Sequence, residues 1–304
     1  MSTHRQKPPK GPTHWVLDWD GTITKKDTLD ALVNIAASTK PDFPTHSRWT
    51  KVVDAYMADY TVTLDGLAPG GALPTTLEEE KKLLNEMKVV EQRSLDRVFE
   101  SKIFAGVTAG QSESGARKAV ESGEVTLRPG CVDLLQSLLG HAASKGDSLH
   151  ILSVNWSRHF ISSCLKAVGV ALDPSIILAN ELDGFAEGKP STGQISSGGQ
   201  MKITASVDKL KHLEKMRKAG AAPIVYVGDS WTDIECLLAA DLGICIRDEP
   251  MGSSQRKLTE ALERLRVDCP RLSSSEEADG SQVVWARDFV EIQAWVDDYT
   301  ARRA

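Results

Sequence analysis

The chain has 304 residues, 41% hydrophobic and 26% charged, enough apolar material for one large α/β domain or a core with a smaller partner domain. Its formal net charge of −6 argues against a broad nucleic-acid footprint, which shows as a basic face, yet leaves room for a small anionic substrate at a locally positive site. No segment approaches the roughly 18 apolar residues needed to span a bilayer, so no membrane role is expected.

Residues 1–12 are polar and Pro-containing and read as a flexible arm without the apolar stretch of a secretory signal. The run His14–Trp19 (HWVLDW) is apolar, rich in strand formers and ended by Gly21, the pattern of a buried strand in a parallel sheet. From residue 26 to 125 the texture changes. TLDALVNIAA, WTKVVDAYMADY, LEEEKKLLNEMKVVEQ and LDRVFESKIF all carry apolar residues at helical spacing, with a helix-start signal at Thr75-Thr76 and Glu78. This stretch reads as a helical insert.

After Arg128-Pro129-Gly130 helices and strands alternate. CVDLLQSLLGHAA is a helix and SLHILSV a strand; WSRHFISSCLKAVG is a helix and SIILAN a strand. DKLKHLEKMRK is a helix and APIVYVGD a strand; TDIECLLAA is a helix and LGICI a strand. A low-complexity patch, Ser273–Gly280, precedes a last strand (VVWAR) and helix (DFVEIQAWVDDY). The Gly- and Ser-rich stretch 184–203 reads as a β-hairpin or flap. The expected fold class is α/β, a doubly wound parallel sheet with an inserted all-helical domain. The core is expected at 13–25 and 126–304, with the insert at 26–125.

Ligands of such sheets gather at the carboxyl ends of the strands. There the sequence sets Asp18 and Asp20 after the first strand, Ser153 and Asn155 after HILSV, and Asp229, Ser230 and Asp233 after IVYVG. Asp18 and Asp20 are two apart and point the same way in an extended segment. Paired carboxylates need a cation or a proton, and adding Asp229 makes a hard-oxygen set suited to Mg²⁺. Ser153, Lys209 and the backbone N–H groups of the Gly21-Thr22 turn are the parts needed to hold phosphoryl oxygens. An EF-hand does not fit, because its sixth and twelfth positions, counted from Asp18, hold Ile23 and Leu29. The five cysteines, Cys131, Cys164, Cys236, Cys245 and Cys269, contain no C-x-x-C pair. They suggest neither a zinc site nor a disulfide framework, and a cytoplasmic protein is expected.

These segments resemble the four motifs of the haloacid dehalogenase superfamily of phosphatases. LDWDGT is similar to the first motif, LSVNWS to the second, the Lys209 region to the third and GDSWTD to the fourth. The resemblance implies a Rossmann-like core, Asp18 as nucleophile and Asp20 as acid/base. It implies Ser153, Asn155, Lys209, Gly21 and Thr22 at the phosphate, and Mg²⁺ on Asp18, Asp20 and Asp229, with Ser230 and Asp233 in support. Lys211 stands as an alternative to Lys209, and Lys189 lies in the flap. Trp19 departs from the more usual Phe or smaller apolar residue and is expected to pack away from the site. The helical insert is similar to the superfamily's cap, where Trp49, Tyr56, Tyr60 and Glu91 are candidates to face a substrate, although Trp49 and Tyr56 fit plain helix packing as well.

A small phosphate ester is the expected substrate. GDSWTDIECLLAADLGICI, NELDG…STGQI and VVWARDFVEIQAWV resemble the corresponding domain of thiamine monophosphate phosphatases, which makes thiamine monophosphate a candidate. The alternatives are a 2-haloacid dehalogenase, a receiver-type phospho-acceptor and a binding protein of the same fold without turnover. A dehalogenase has no use for Asp20, and a receiver none for a long helical insert.

Overall fold

A computed structural model describes residues 11–220, 222–273 and 281–301. Most of the expected flexible arm and of the low-complexity patch lies outside the described residues. In chain order the elements begin with β1 (His14–Leu17), followed by α1 (Leu29–Thr39), α2 (Thr45–Leu67), α3 (Leu77–Ser101) and α4 (Ala109–Glu121). Next come α5 (Cys131–Lys145), β2 (Ser148–Leu152), α6 (Arg158–Ala167), β3 (Ile177–Leu178), β4 (Glu181–Leu182) and β5 (Ile195–Ser196). The chain continues through α7 (Ser206–Ala219), β6 (Ile224–Gly228), α8 (Ile234–Ala239) and β7 (Leu242–Ile246). It closes with α9 (Ser253–Arg264), β8 (Val283–Ala286) and α10 (Phe289–Ala301). No helix among the described residues is long and apolar enough to cross a membrane.

The chain divides into two compact units. The first comprises residues up to 25, 127–152 and 209 onward. Its strands lie side by side in the order β2-β1-β6-β7-β8, all parallel. β6 and β7 are buried at every position, as strands covered on both faces must be. β1 is central, with Leu17 in register with Ile151 on one side and Val227 on the other. The chain leaves β1 toward β2 and later returns to β6 on the opposite side. The carboxyl ends of β1 and β6 therefore meet at the switch point where such sheets bind ligands.

The second unit comprises 26–126 and 153–208. It thus takes in residues 153–208, which the sequence pattern alone assigns to the core. The physical reason is local packing: α6 lies against α4, and Ser191 exchanges backbone hydrogen bonds with Gly106 and Val107. Trp156 is wedged edge-on against Trp49 and Phe104, with ring centroids 5.7 and 6.0 Å away. Two expected helical segments, at 77–92 and 95–104, are one continuous helix, α3, started by Thr76, whose side chain accepts the Glu79 N–H.

Two helices lie outside the expected pattern. α4 is built from small polar residues and held by a capping box between Thr108 and Gln111, so its apolar face is only Ala116 and Ala119. α9 buries Leu258, Ala261 and Leu262 at helical spacing within an otherwise polar run. The expected strand SIILAN shrinks to Ile177–Leu178, because 174–176 forms a tight turn and the Asn180 side chain ties the carbonyls of Val154, Asn155 and Ile203. Within the 184–203 stretch lies β5, which pairs antiparallel with β4 just before it.

Candidate active site

β1 delivers Asp18 in extended conformation, and Trp19 after it is fully buried, in keeping with a packing role. The chain then turns sharply through Gly21, which has φ +73° and whose absent Cβ would lie 2.7 Å from the Asp229 carboxyl carbon. Only glycine lets the turn close so tightly on a carboxylate. Asp229 follows β6 directly. The next turn brings Asp233 back beneath it, close enough that a Cβ on Gly228 would collide with the Asp233 side chain at 2.6 Å.

The first turn of α7 supplies Lys209. Its Nζ, buried to 1% exposure, donates to Asp18 Oδ1 and to Asp233 Oδ1, both at 2.7 Å. Lys211 is exposed. Asp233 is held from every side: Oδ1 also accepts from Tyr226 OH at 2.6 Å. Its Oδ2 accepts from Ser230 Oγ (2.8 Å), Ser230 N–H (3.0 Å) and Asp229 N–H (3.3 Å). Asp229 has looser partners, Thr22 Oγ1 at 3.1 Å and Ser254 Oγ at 3.5 Å.

Oxygens of Asp18, Asp229 and Asp233 lie within 4.8 Å of one another, and all three residues are buried. Asp20, half-buried, is not one of the three. Burial disfavours ionisation of Asp18 first of all, and the neighbouring Asp233 and Asp229 add to it against the pull of Lys209, so its pKa is raised well above the usual carboxylate value. Burial and then Asp233 push Asp229 up to about 7. Burial acts on Asp233 as well, but Lys209, Tyr226 and Ser230 overcome it and hold its pKa below the ordinary value. Lys209 is kept charged by Asp18 and Asp233 against its own desolvation.

One buried ammonium thus faces three buried carboxylates. That excess of negative charge, carried on hard oxygen atoms, fits a divalent cation such as Mg²⁺. Because the oxygens of Asp233 are occupied by five donors, Asp18 and Asp229 are the carboxylates suited to hold the ion, and Asp233 positions Lys209.

Other expected site residues have different surroundings. Thr22 directs its hydroxyl to Asp229, and the Gly21 N–H donates to Thr24 Oγ1 at 3.3 Å, so the turn serves its own closure as well as any ligand. In the second unit Ser153 is buried and its Oγ accepts the Asn155 N–H at 3.0 Å. Asn155 ties its loop to the start of α1, donating to Thr28 Oγ1 and accepting from the Ser157 N–H. Also in that unit, Tyr56 OH donates to Glu91 Oε1 at 2.8 Å, the Tyr56 and Tyr60 rings lie 6.1 Å apart, and Trp49 Nε1 donates to Asp30.

Arg128 is a contributor that motif reasoning does not single out. Buried at 3% exposure, it donates from Nη2 to Gly21 O (2.8 Å) and from Nε to Thr22 O (3.2 Å), and it pairs through Nη1 with Asp248 Oδ1 at 2.5 Å. Gln255 in turn donates to Asp248 at 2.8 Å. The guanidinium therefore pins the turn that follows Asp18. The only sequence signal is its place in Arg128-Pro129-Gly130, just before an α/β rhythm resumes.

The sequence matches the family described as haloacid dehalogenase-like hydrolase over residues 15–238. It is 27% identical over 283 residues to a CTO1 family protein of Schizosaccharomyces pombe, covering 89% of this chain and 94% of that one. It is 30% identical over 172 residues to the bifunctional TH2 protein, mitochondrial, of Arabidopsis thaliana, covering 54% of this chain and 25% of the plant protein. A phosphoserine phosphatase solved as a phospho-aspartyl intermediate analogue shares the fold at TM-score 0.53 and 18% identity, over 94% of this chain and all of the other.

Proposed function

The chain belongs to the haloacid dehalogenase-like hydrolase family, and from that premise we propose that it is a phosphatase acting on small phosphate monoesters through a covalent phosphate on Asp18. The observation that carries this reading is the Lys209 ammonium held 2.7 Å from Asp18, with Asp229 beside it.

Asp18 attacks phosphorus in line, and the alcohol oxygen leaves as the aspartyl-phosphate forms. Asp20 protonates that oxygen, then takes a proton from the water that hydrolyses the acyl phosphate. Lys209 orients the Asp18 carboxylate and offers positive charge to the phosphoryl oxygens. Asp18, the Asp20 backbone carbonyl and Asp229 would hold Mg²⁺, which would neutralise charge on the phosphoryl group. Ser153 and Asn155 are proposed phosphate ligands on the strength of the LSVNWS motif. The two-carboxylate pair favours an oxygen leaving group over halide, which needs no proton.

The resemblance of the core segments to thiamine monophosphate phosphatases, together with the half-buried Tyr56–Glu91 pair and Tyr60, supports thiamine monophosphate as the substrate, an organic cation that aromatic and acidic side chains attract. The proposed compartment is the cytosol, where the five thiols stay reduced.

The test is turnover of p-nitrophenyl phosphate with Mg²⁺, followed by a screen of thiamine monophosphate, phosphoserine and nucleotides. Activity that vanishes in Asp18→Asn supports the reading. Halide release from 2-haloacids without phosphatase activity would replace it.

A further inference from the structure

On the phosphatase reading Ser153 binds a phosphoryl oxygen, so the backbone that carries it must be held still. Ser153 is fully buried, and its Oγ accepts the Asn155 N–H at 3.0 Å, which leaves its own proton to donate elsewhere. Residues 153–157 lie between β2 and α6 and belong to neither strand nor helix. Their bonds go instead to residues 178–181 of the same unit, where β3 passes into β4. The first is the Ser153 N–H, which donates to Leu178 O at 2.9 Å.

Asn180 carries most of the others. Buried at 1% exposure, its Nδ2 donates to Ile203 O (2.6 Å), Val154 O (3.1 Å) and Asn155 O (3.2 Å), and its Oδ1 accepts the Ile203 N–H at 3.0 Å. An amide has two N–H groups, so one serves Ile203 and the other is shared by the two loop carbonyls. The Asn180 backbone adds a bond to Asn155 O and accepts the Arg158 N–H at 2.8 Å. Glu181 beside it caps α6, accepting from Ser157 Oγ at 2.7 Å and from the His159 N–H at 2.9 Å. Ile203, at the other end of the amide, leads into an anchored segment. Thr204 donates its N–H and its hydroxyl to Asp208 Oδ2, and Lys88 pairs with Asp208 Oδ1 at 2.6 Å. Capping α6 needs only Glu181. The Asn180 amide grips the backbone next to Ser153 itself.

We propose that Asn180 is the positioning residue of the phosphate-binding loop, and that it sets phosphate affinity through Ser153. Its amide fixes the Val154 and Asn155 carbonyls, and with them the Ser153 hydroxyl, against the segment at Ile203. Asn180 itself touches no substrate. Without the amide the loop loses its tie to Ile203, and the Ser153 hydroxyl no longer meets a phosphoryl oxygen at hydrogen-bond distance. Asp18 and Asp229 lie in the first unit and keep their own partners, so affinity for Mg²⁺ is untouched.

The experiment measures binding of inorganic phosphate to the full chain with Mg²⁺ by calorimetry, and KM for p-nitrophenyl phosphate, in Ser153→Ala, Asn180→Ala and the double variant. Each single substitution is expected to weaken phosphate binding and raise KM roughly tenfold, while the rise in Tm produced by Mg²⁺ alone stays as in the wild type. The double variant is expected to bind phosphate within about twofold of Ser153→Ala, because the two residues act through one contact. A residue that only supports the fold would lower Tm without changing phosphate affinity, or would add its full loss to that of Ser153→Ala. Either result overturns the proposal. If Asn180→Ala does not fold, amide hydrogen exchange of the wild type decides. Bound phosphate should then protect Asn155, Arg158 and Ile203 together, and protection of the loop without Ile203 overturns the proposal. A wild type that neither hydrolyses p-nitrophenyl phosphate nor binds phosphate overturns the phosphatase reading and the role of Asn180 with it. An active wild type matched by Asn180→Ala overturns the role of Asn180 alone.

Discussion

At the ends of β1 and β6 the geometry is set by backbone, whereas along α2 and α3 it is set by replaceable side chains. Gly21 and Gly228 let two turns close on Asp229 and Asp233 at distances no larger residue permits. Asp233 accepts from five donors, and Arg128 locks two carbonyls of the first turn. Between α2 and α3 the links are made by side chains: Tyr56 donates to Glu91, Arg97 pairs with Asp59, and Arg48 donates to the Ser101 carbonyl. The first region suits chemistry that tolerates no displacement, and the second suits recognition that varies with the ligand.

The comparison breaks most severely at the nucleophile. Asp18→Asn is expected to lower kcat by about 10⁴-fold or more, as loss of a covalent nucleophile does. Tm should change little by comparison, because the amide still accepts from Lys209. Wild-type kcat in the asparagine variant would remove Asp18 from its role.

A smaller but still large effect is expected from the turn. Gly21→Ala places a Cβ against the Asp229 carboxylate at positive φ, and a displacement of order 1 Å there costs roughly 10²-fold in kcat. In the same variant Mg²⁺ should raise Tm less than in the wild type, and in Asp229→Asn it should not raise Tm at all. An undiminished Mg²⁺ shift in Asp229→Asn would move the ion elsewhere.

Arg128→Met leaves the Gly21 and Thr22 carbonyls without their buried donor. The expected cost is about 2 kcal/mol of stability, with roughly tenfold lower kcat, read by denaturant unfolding and steady-state kinetics. Its partner gives a signed pH test. Burial works against Asp248, but the hydrogen bonds from Arg128 and Gln255 bring its pKa below the ordinary carboxylate value. A depressed folded pKa contributes stability that is present above the unfolded value and lost as pH falls through the folded one. The destabilisation caused by Asp248→Asn should therefore be largest near neutral pH and shrink below about pH 4. A pH-independent difference would show that Asp248 acts only through packing.

The smallest effect is expected in the helical insert. Tyr56→Phe and Glu91→Gln should leave p-nitrophenyl phosphate turnover within about twofold while changing KM for a cationic phosphate ester by several-fold, roughly 1 kcal/mol. Equal loss on both substrates would turn the pair into a structural element.

How much of this was legible in the sequence follows the same division. The strand-end acids stood out because apolar runs of four to six residues ended in Asp18 and Asp229, and Lys209 followed from motif order. The place of Asp233 as a third member of the buried carboxylate cluster depends on a turn that folds it back under β6, which spacing does not reveal. Arg128 reaches the first turn from more than a hundred positions away, and a long-range contact of one arginine leaves no local pattern. α4 escaped because its buried face is alanine and serine. α9 carried a readable 258, 261, 262 stripe that its polar surroundings obscured. The grouping of 153–208 with the insert rests on packing of α6 against α4, a tertiary choice.

The most direct test of the central claim is trapping of the intermediate. Rapid acid quench during turnover of a radiolabelled phosphate ester, followed by peptide mapping, should place a base-labile phosphate on the peptide containing Asp18, with none in Asp18→Asn. Turnover without label on that peptide, or label on another residue, would contradict the account.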